Sequence, residues 1–175
     1  MRHLVSCLLV LLLAIAIGAC GGGDGESAAK PTPEKTSEEP SPSAQREALK
    51  DTSARPVIPK PSGSPPRRLD KQDIVKGKGP AAKPGDTVTV QYVGVSFSTG
   101  DEFDASWDRG QPLPVPLGAS QIEGWDKGLV GMRKGGRRML TIPPELAYGP
   151  EGYPPSIAPN ETLIFVIDAI DIKPG

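Results

Sequence analysis

The large apolar residues of this chain are unevenly placed, and their placement leaves room for one small fold. Leu8 to Ile17 is almost purely aliphatic. From Gly21 to about Pro66, Gly, Pro, Ser, Glu and Lys dominate and large apolar side chains are almost absent. Apolar and aromatic residues return only between about Arg67 and Gly175, a stretch of about 109 residues that suffices for one modest core. The middle segment cannot bury enough surface to offset its ordering entropy, so residues 20–66 are expected to form a disordered linker. As a flexible coil its ends would lie roughly 35–45 Å apart. Deleting it is expected to leave the melting temperature of the domain unchanged. Gln45-Arg46-Glu47-Ala48-Leu49-Lys50 has helical composition but is too short to hold a helix alone.

The N-terminus reads as a targeting segment. Arg2 and His3 give a short basic start, and the aliphatic run is too short to span a bilayer comfortably, as expected of a signal peptide over residues 1–19. Ile17-Gly18-Ala19-Cys20 resembles a bacterial lipobox, in which cleavage leaves Cys20 as a lipidated N-terminus. That resemblance implies an extracytoplasmic protein, lipid-anchored to the bacterial membrane. An ordinary signal peptide, or a short anchor with an incidental Cys, is the alternative.

Cysteine and histidine counts remove several chemistries. The two Cys are Cys7 and Cys20, and the single His is His3. A chain beginning at Cys20 has no imidazole and no unmodified thiol. It cannot carry a Cys-His or Ser-His-Asp nucleophile, a Cys/His zinc site or an internal disulfide. No EF-hand-like spacing appears, and no metal or cofactor is expected. The net charge is −1, with no basic stripe of the kind that nucleic acid requires. The basic cluster Arg133-Lys134-Gly135-Gly136-Arg137-Arg138 is expected to be a solvated hairpin edge.

Within residues 67–175 the periodicities are those of an α+β fold. Thr87 to Tyr92 alternates with period two, placing Val88, Val90 and Tyr92 on one face of a strand. Thr99-Gly100-Asp101 is a turn, and Glu102 to Ser106 returns. Pro112 to Leu117 is extended but proline-punctured, which confines it to an edge or bulged strand. Ile122 to Val130 has apolar residues at helical spacing and ends near Gly131. Arg138 to Ile142 is a strand stopped by Pro143-Pro144. Thr162 to Ile172 is apolar on both faces, as a central strand is, and Leu69 to Val75 supplies a further strand. The helix must cover one face of the sheet, which otherwise has nowhere to bury its apolar side.

The aromatics stand in distinctive settings. Phe103 is followed by Asp104, Trp125 follows Gly124, and Tyr148 sits between small residues in a Pro/Gly-rich loop. Such company suits a concave apolar site with a few aimed polar groups. Taken singly, each aromatic is more simply read as core. In order, however, the chain shows Tyr92-Val93-Gly94, Phe103-Asp104-Ala105-Ser106, Pro112 to Leu117-Gly118, Gly124-Trp125-Asp126-Lys127-Gly128, Leu140-Thr141-Ile142-Pro143-Pro144, Ala147-Tyr148-Gly149 and Thr162-Leu163-Ile164-Phe165. This series resembles the FKBP-type peptidyl-prolyl isomerases. The resemblance implies a bent antiparallel β-sheet wrapped around one short α-helix, with a ligand cleft between them.

It also implies a site. Trp125 would form the floor under a substrate proline ring, with Tyr92, Phe103, Ile122, Ile157 and Phe165 as walls. Tyr148 would offer its hydroxyl to the peptide, and the Ile122 N–H would hold a substrate carbonyl. Asp104 would stand at the mouth, with Arg109 as its cation; a purely structural ion pair is the alternative. Asp104, Tyr148, Trp125 and Phe103 would carry catalysis. The wall positions that are aromatic in well-known members are Leu113 and Val115 here, Tyr153 takes the place of a frequent flap His, and Ser156 and Gln121 alter the rim. The implied activity is isomerisation of X-Pro bonds by a monomer acting on proline-containing polypeptides. A non-catalytic proline-peptide binding module or chaperone on the same fold is the alternative.

Overall fold

The sheet is organised around its last strand. The computed structural model describes residues 41–175; the expected signal peptide, Cys20 and the first part of the linker lie outside the described residues. Strand β8 (Leu163–Lys173) is buried over its first seven residues. It pairs antiparallel with β7 (Arg137–Ile142) on one side and with β3 (Thr87–Ser96) on the other. Strand β1 (Asp70–Val75) extends the sheet beyond β7. Two short strands share the other edge of β3: β4 (Glu102–Ala105) pairs with its second half and β5 (Leu113–Pro116) with its first. Pro114 and Pro116 are tolerated because β5 has a partner on one side only. Strands β2 (Lys78–Ala81) and β6 (Arg133–Lys134) form a separate antiparallel pair.

The period-two pattern places the core. Val88, Val90 and Tyr92 of β3 join Leu163, Phe165, Ile167 and Ala169 of β8 and Leu140 and Ile142 of β7 in one cluster. The register between β3 and β8 shifts at Thr89/Val90, a bulge of the sort that bends a sheet. Helix α3 (Glu123–Leu129) lies in the hollow of this face with Gly124, Trp125, Gly128 and Leu129 buried. A Cβ at Gly124 would run into the Ile142 side chain, and one at Gly128 into Leu140. The two glycines therefore let the helix approach β7 more closely than alanines could. This is the expected α+β architecture, one short helix enclosed by a bent antiparallel sheet.

The basic hairpin departs from expectation. Arg133 and Lys134 are exposed, but Arg137 is 0% and Arg138 is 7% exposed. Arg138 donates to Asp73 at 2.6 Å and to the carbonyls of Gly128 at 2.6 Å and Val130 at 3.1 Å. It thereby satisfies acceptors at the C-terminus of α3 that have no intrahelical donor. Arg137 holds Asp168 through two hydrogen bonds of 2.5 and 2.7 Å on the opposite face of the sheet.

That opposite face also overturns the expectation of disorder through Pro66. Helix α1 (Pro42–Ala48) is capped by the Ser41 hydroxyl, with Pro42 at its first position. After it the chain runs as a strap against the sheet. Leu49 is 4% exposed, and Arg137 donates to the carbonyls of Leu49 (3.0 Å), Asp51 (2.9 Å) and Ala54 (2.8 Å). Ile58 packs on a second cluster built from Val93, Val95, Ala105 and Ile164. The segment is poor in apolar residues, as its composition says. It adds to the few apolar contacts of Leu49 and Ile58 by presenting backbone carbonyls to one buried guanidinium.

Candidate active site

The gap between β4 and β5 sets up the site. Each pairs with part of β3, and the chain leaves the sheet between them through the one-turn helix α2 (Ser106–Arg109). Tyr92 lies opposite this gap, where its N–H would lack a strand partner. The fully buried Ser106 hydroxyl accepts that N–H at 2.8 Å and contacts the Gln91 side chain. Ser106 is thus a positioning residue that the sequence displayed in its Phe-Asp-x-Ser motif without revealing its role. Asp126, in the first turns of α3, accepts the N–H groups of Gly118 at 2.8 Å and Ser120 at 3.3 Å and so fixes the loop before the helix.

Between the sheet and α3 opens a cavity of about 310 Å³. Trp125 contacts Tyr92 edge-to-face at 5.0 Å and Phe165 at 5.2 Å, and Phe103 meets Phe165 at 5.5 Å, also edge-to-face. Such contacts use the ring quadrupoles favourably and hold each ring in one orientation. Gly94 makes the arrangement possible, since a Cβ there would lie 2.7 Å from Phe165 and 2.8 Å from Phe103. Leu113, Val115, Ile122 and Tyr148 add to the wall, and among the described residues Asp104 is the single charged side chain lining it. The Ile122 N–H has no acceptor among the described residues.

Asp104 is held from two sides. Arg109 donates to one carboxylate oxygen at 2.5 Å, and the Tyr92 hydroxyl makes a short contact to the other. Arg109 also donates to the Tyr92 oxygen at 2.7 Å, with its guanidinium 5.7 Å from the Tyr92 ring centre. Burial, and then the hydrogen bond to Asp104, push the Tyr92 hydroxyl up to about 12. Tyr92 therefore remains protonated at neutral pH and acts as a donor to the carboxylate. Burial raises the Tyr148 hydroxyl as well, followed by the nearby Asp104 charge and Tyr153.

Three expected site residues fall outside the cavity. Ile157 is 3% exposed, and its side chain is taken up by the core cluster that Tyr92, Ile122, Trp125 and Phe165 also join, without lining the cavity. Tyr153 is 61% exposed, with its ring tilted against that of Tyr148 at 5.6 Å. Arg109 reaches the site only through Asp104 and Tyr92. Conversely, Pro114, Pro116, Ala119 and Ser120 line the cavity without having been expected there. The prolines that marked β5 as an edge also make it a wall, a signal present in the sequence.

A family model for FKBP-type peptidyl-prolyl cis-trans isomerase matches residues 79–170. The chain belongs to the FKBP-type peptidyl-prolyl cis-trans isomerases. It is 56% identical over 120 residues to an FK506-binding protein of Streptomyces anulatus, covering 67% of this chain and 97% of that protein. A probable FK506-binding protein of Corynebacterium glutamicum is 53% identical over 116 residues, covering 66% of this chain and 97% of that protein. The crystal structure of FkpA from Escherichia coli superposes with a TM-score of 0.57 at 40% identity, over 75% of this chain and 59% of that one. The Streptomyces match covers more of this FKBP-type chain than residues 67–175 supply, so it takes in part of the strap.

Proposed function

We propose that the cavity receives the proline ring of an X-Pro segment on the Trp125 floor and speeds rotation about the preceding amide. The observation that carries this reading is an aromatic hollow in which, among the described residues, Asp104 is the only charged lining group. Planarity of the amide is held by resonance, with a barrier of about 18–20 kcal/mol. Twisting removes conjugation and lowers charge separation. A dry apolar cavity therefore favours the twisted amide over the planar, more dipolar one, which is catalysis by differential binding and environment. The free N–H of Ile122 holds a substrate carbonyl, and Asp104 meets the peptide at the mouth. No covalent bond is made or broken, so the reaction calls for no nucleophile.

Turnover of proline peptides tests this. The full chain is expected to accelerate isomerisation of a Leu-Pro peptide and to prefer it over Glu-Pro, because Phe103, Ile122 and Leu113 are apolar. Faster turnover of Glu-Pro would mean that the walls are misplaced. Binding of proline peptides with no rate above background would establish the non-catalytic module instead.

The setting proposed for this activity is extracytoplasmic: a monomer, lipid-anchored at Cys20, acting on proteins that fold outside the cytoplasm. It is supported by the lipobox-like Ile17-Gly18-Ala19-Cys20 at the end of the aliphatic run. An acyl anchor contributes about 0.8 kcal/mol per buried CH₂. Cys20→Ser is accordingly expected to release the protein from membranes with its activity intact. A Ser variant that stays with membranes after a high-salt wash would rule out Cys20 as the anchor.

A further inference from the structure

The strap reaches the back of the elements that carry the Asp104–Arg109 pair. Asp104 belongs to β4 and Arg109 to α2, so the geometry of the pair depends on how those two elements are set against each other. Helix α2 is a single turn with no side-chain bond at its N-cap, and one turn does not hold itself. Ser106 ties its first residue to β3. At its other end Arg55 of the strap contacts Asp108 of α2 at 3.4 Å and donates to Glu102 of β4 at 2.5 Å. One guanidinium thus bridges a carboxylate two residues before Asp104 and a carboxylate one residue before Arg109.

The strap is placed to do this from both sides. Arg137 holds it upstream of Arg55 through the Leu49, Asp51 and Ala54 carbonyls. Downstream, Ile58 and the α2 residue Trp107 pack on the same apolar cluster, and Lys60 lies against Gly100 in the turn leading to β4. We propose that Arg55 is a positioning residue for the isomerase site, which clamps β4 to α2 and so holds the Asp104 carboxylate at the cavity mouth. The proposal rests on the reading of Asp104 as the polar group at the bound peptide. In the absence of Arg55, Glu102 and Asp108 repel, α2 shifts, and Arg109 no longer fixes the Asp104 orientation.

The test compares Arg55→Glu and Arg55→Lys in the full chain, each in the wild-type and Asp104→Leu backgrounds, with kcat/KM on a Leu-Pro peptide and Tm as readouts. The contacts are solvent-facing, so the effect is bounded. Arg55→Glu is expected to lower kcat/KM about two- to fivefold, and Arg55→Lys to recover most of it. In the Asp104→Leu background Arg55→Glu is expected to change kcat/KM no further, because the group it orients is gone. Loss by the same factor in both backgrounds, or an Arg55→Glu variant with unchanged kcat/KM, would overturn the proposal while leaving the site reading in place. If Asp104→Leu alone does not slow turnover, the reading of Asp104 fails and the proposal falls with it.

Discussion

Arg137→Met is expected to lower stability by about 3–5 kcal/mol, the usual cost of removing one partner from a buried ion pair. Arg137 is 0% exposed and Asp168 is 3% exposed, so the carboxylate would be left without its cation in a nearly water-free place. All five guanidinium N–H groups are in use: two go to Asp168 and three to the carbonyls of Leu49, Asp51 and Ala54. Removal therefore orphans the strap as well. Adding Asp168→Leu should restore part of the loss, because it deletes the stranded charge. Urea unfolding of the two variants decides this; a double variant weaker than the single would place the cost elsewhere. By the same geometry, truncation to Arg67 is expected to lower Tm by more than a few degrees, which reverses the expectation from composition. An unchanged Tm would mean that the strap is not docked in solution.

What the sequence revealed and what it hid divide along physical lines. Periodicity reports which side of an element meets the core, so Val88, Val90 and Tyr92 of β3 and the two-sided β8 could be read directly. Composition reports the apolar surface a segment can bury, and by that measure residues 49–60 had little reason to be ordered. Much of their docking is by main-chain carbonyls, which every residue has and which leave no mark in the sequence. The arginines were hidden for a related reason. A run of Arg and Lys beside glycines resembles a solvated hairpin, and Arg133 and Lys134 are that. The counter-charges of Arg137 and Arg138 lie at Asp168 and Asp73, which no local pattern pairs with them. Among the expected site residues, Ile157 departs because its apolar side chain is used up in the core, and side-chain type does not tell a cavity wall from the packing around it.

On the proposed reading, Asp104→Leu is expected to lower kcat/KM on a Leu-Pro peptide about tenfold or more, the effect of losing a charged hydrogen-bonding group that meets the bound peptide. The fold should tolerate it. The Asp104 and Arg109 side chains are 39% and 51% exposed, so water replaces much of what the pair loses, and an exposed pair contributes about 0–1 kcal/mol. Tyr92, which is 5% exposed, loses an acceptor but keeps the Arg109 donor. Tyr148→Phe removes one hydroxyl at the wall and is expected to cost only about 0.5–1.5 kcal/mol of transition-state stabilisation. Trp125→Ala is the poorer probe. It opens the floor of the core and is expected to cost about 3–5 kcal/mol of stability, so lost activity would be ambiguous. Trp125→Phe avoids part of that problem, because the Trp125 indole N–H has no hydrogen-bond partner among the described residues and none is broken. If Asp104→Leu turns over Leu-Pro as fast as wild type while Trp125→Phe slows it, the polar gate has no part in catalysis and the apolar hollow alone accounts for the rate.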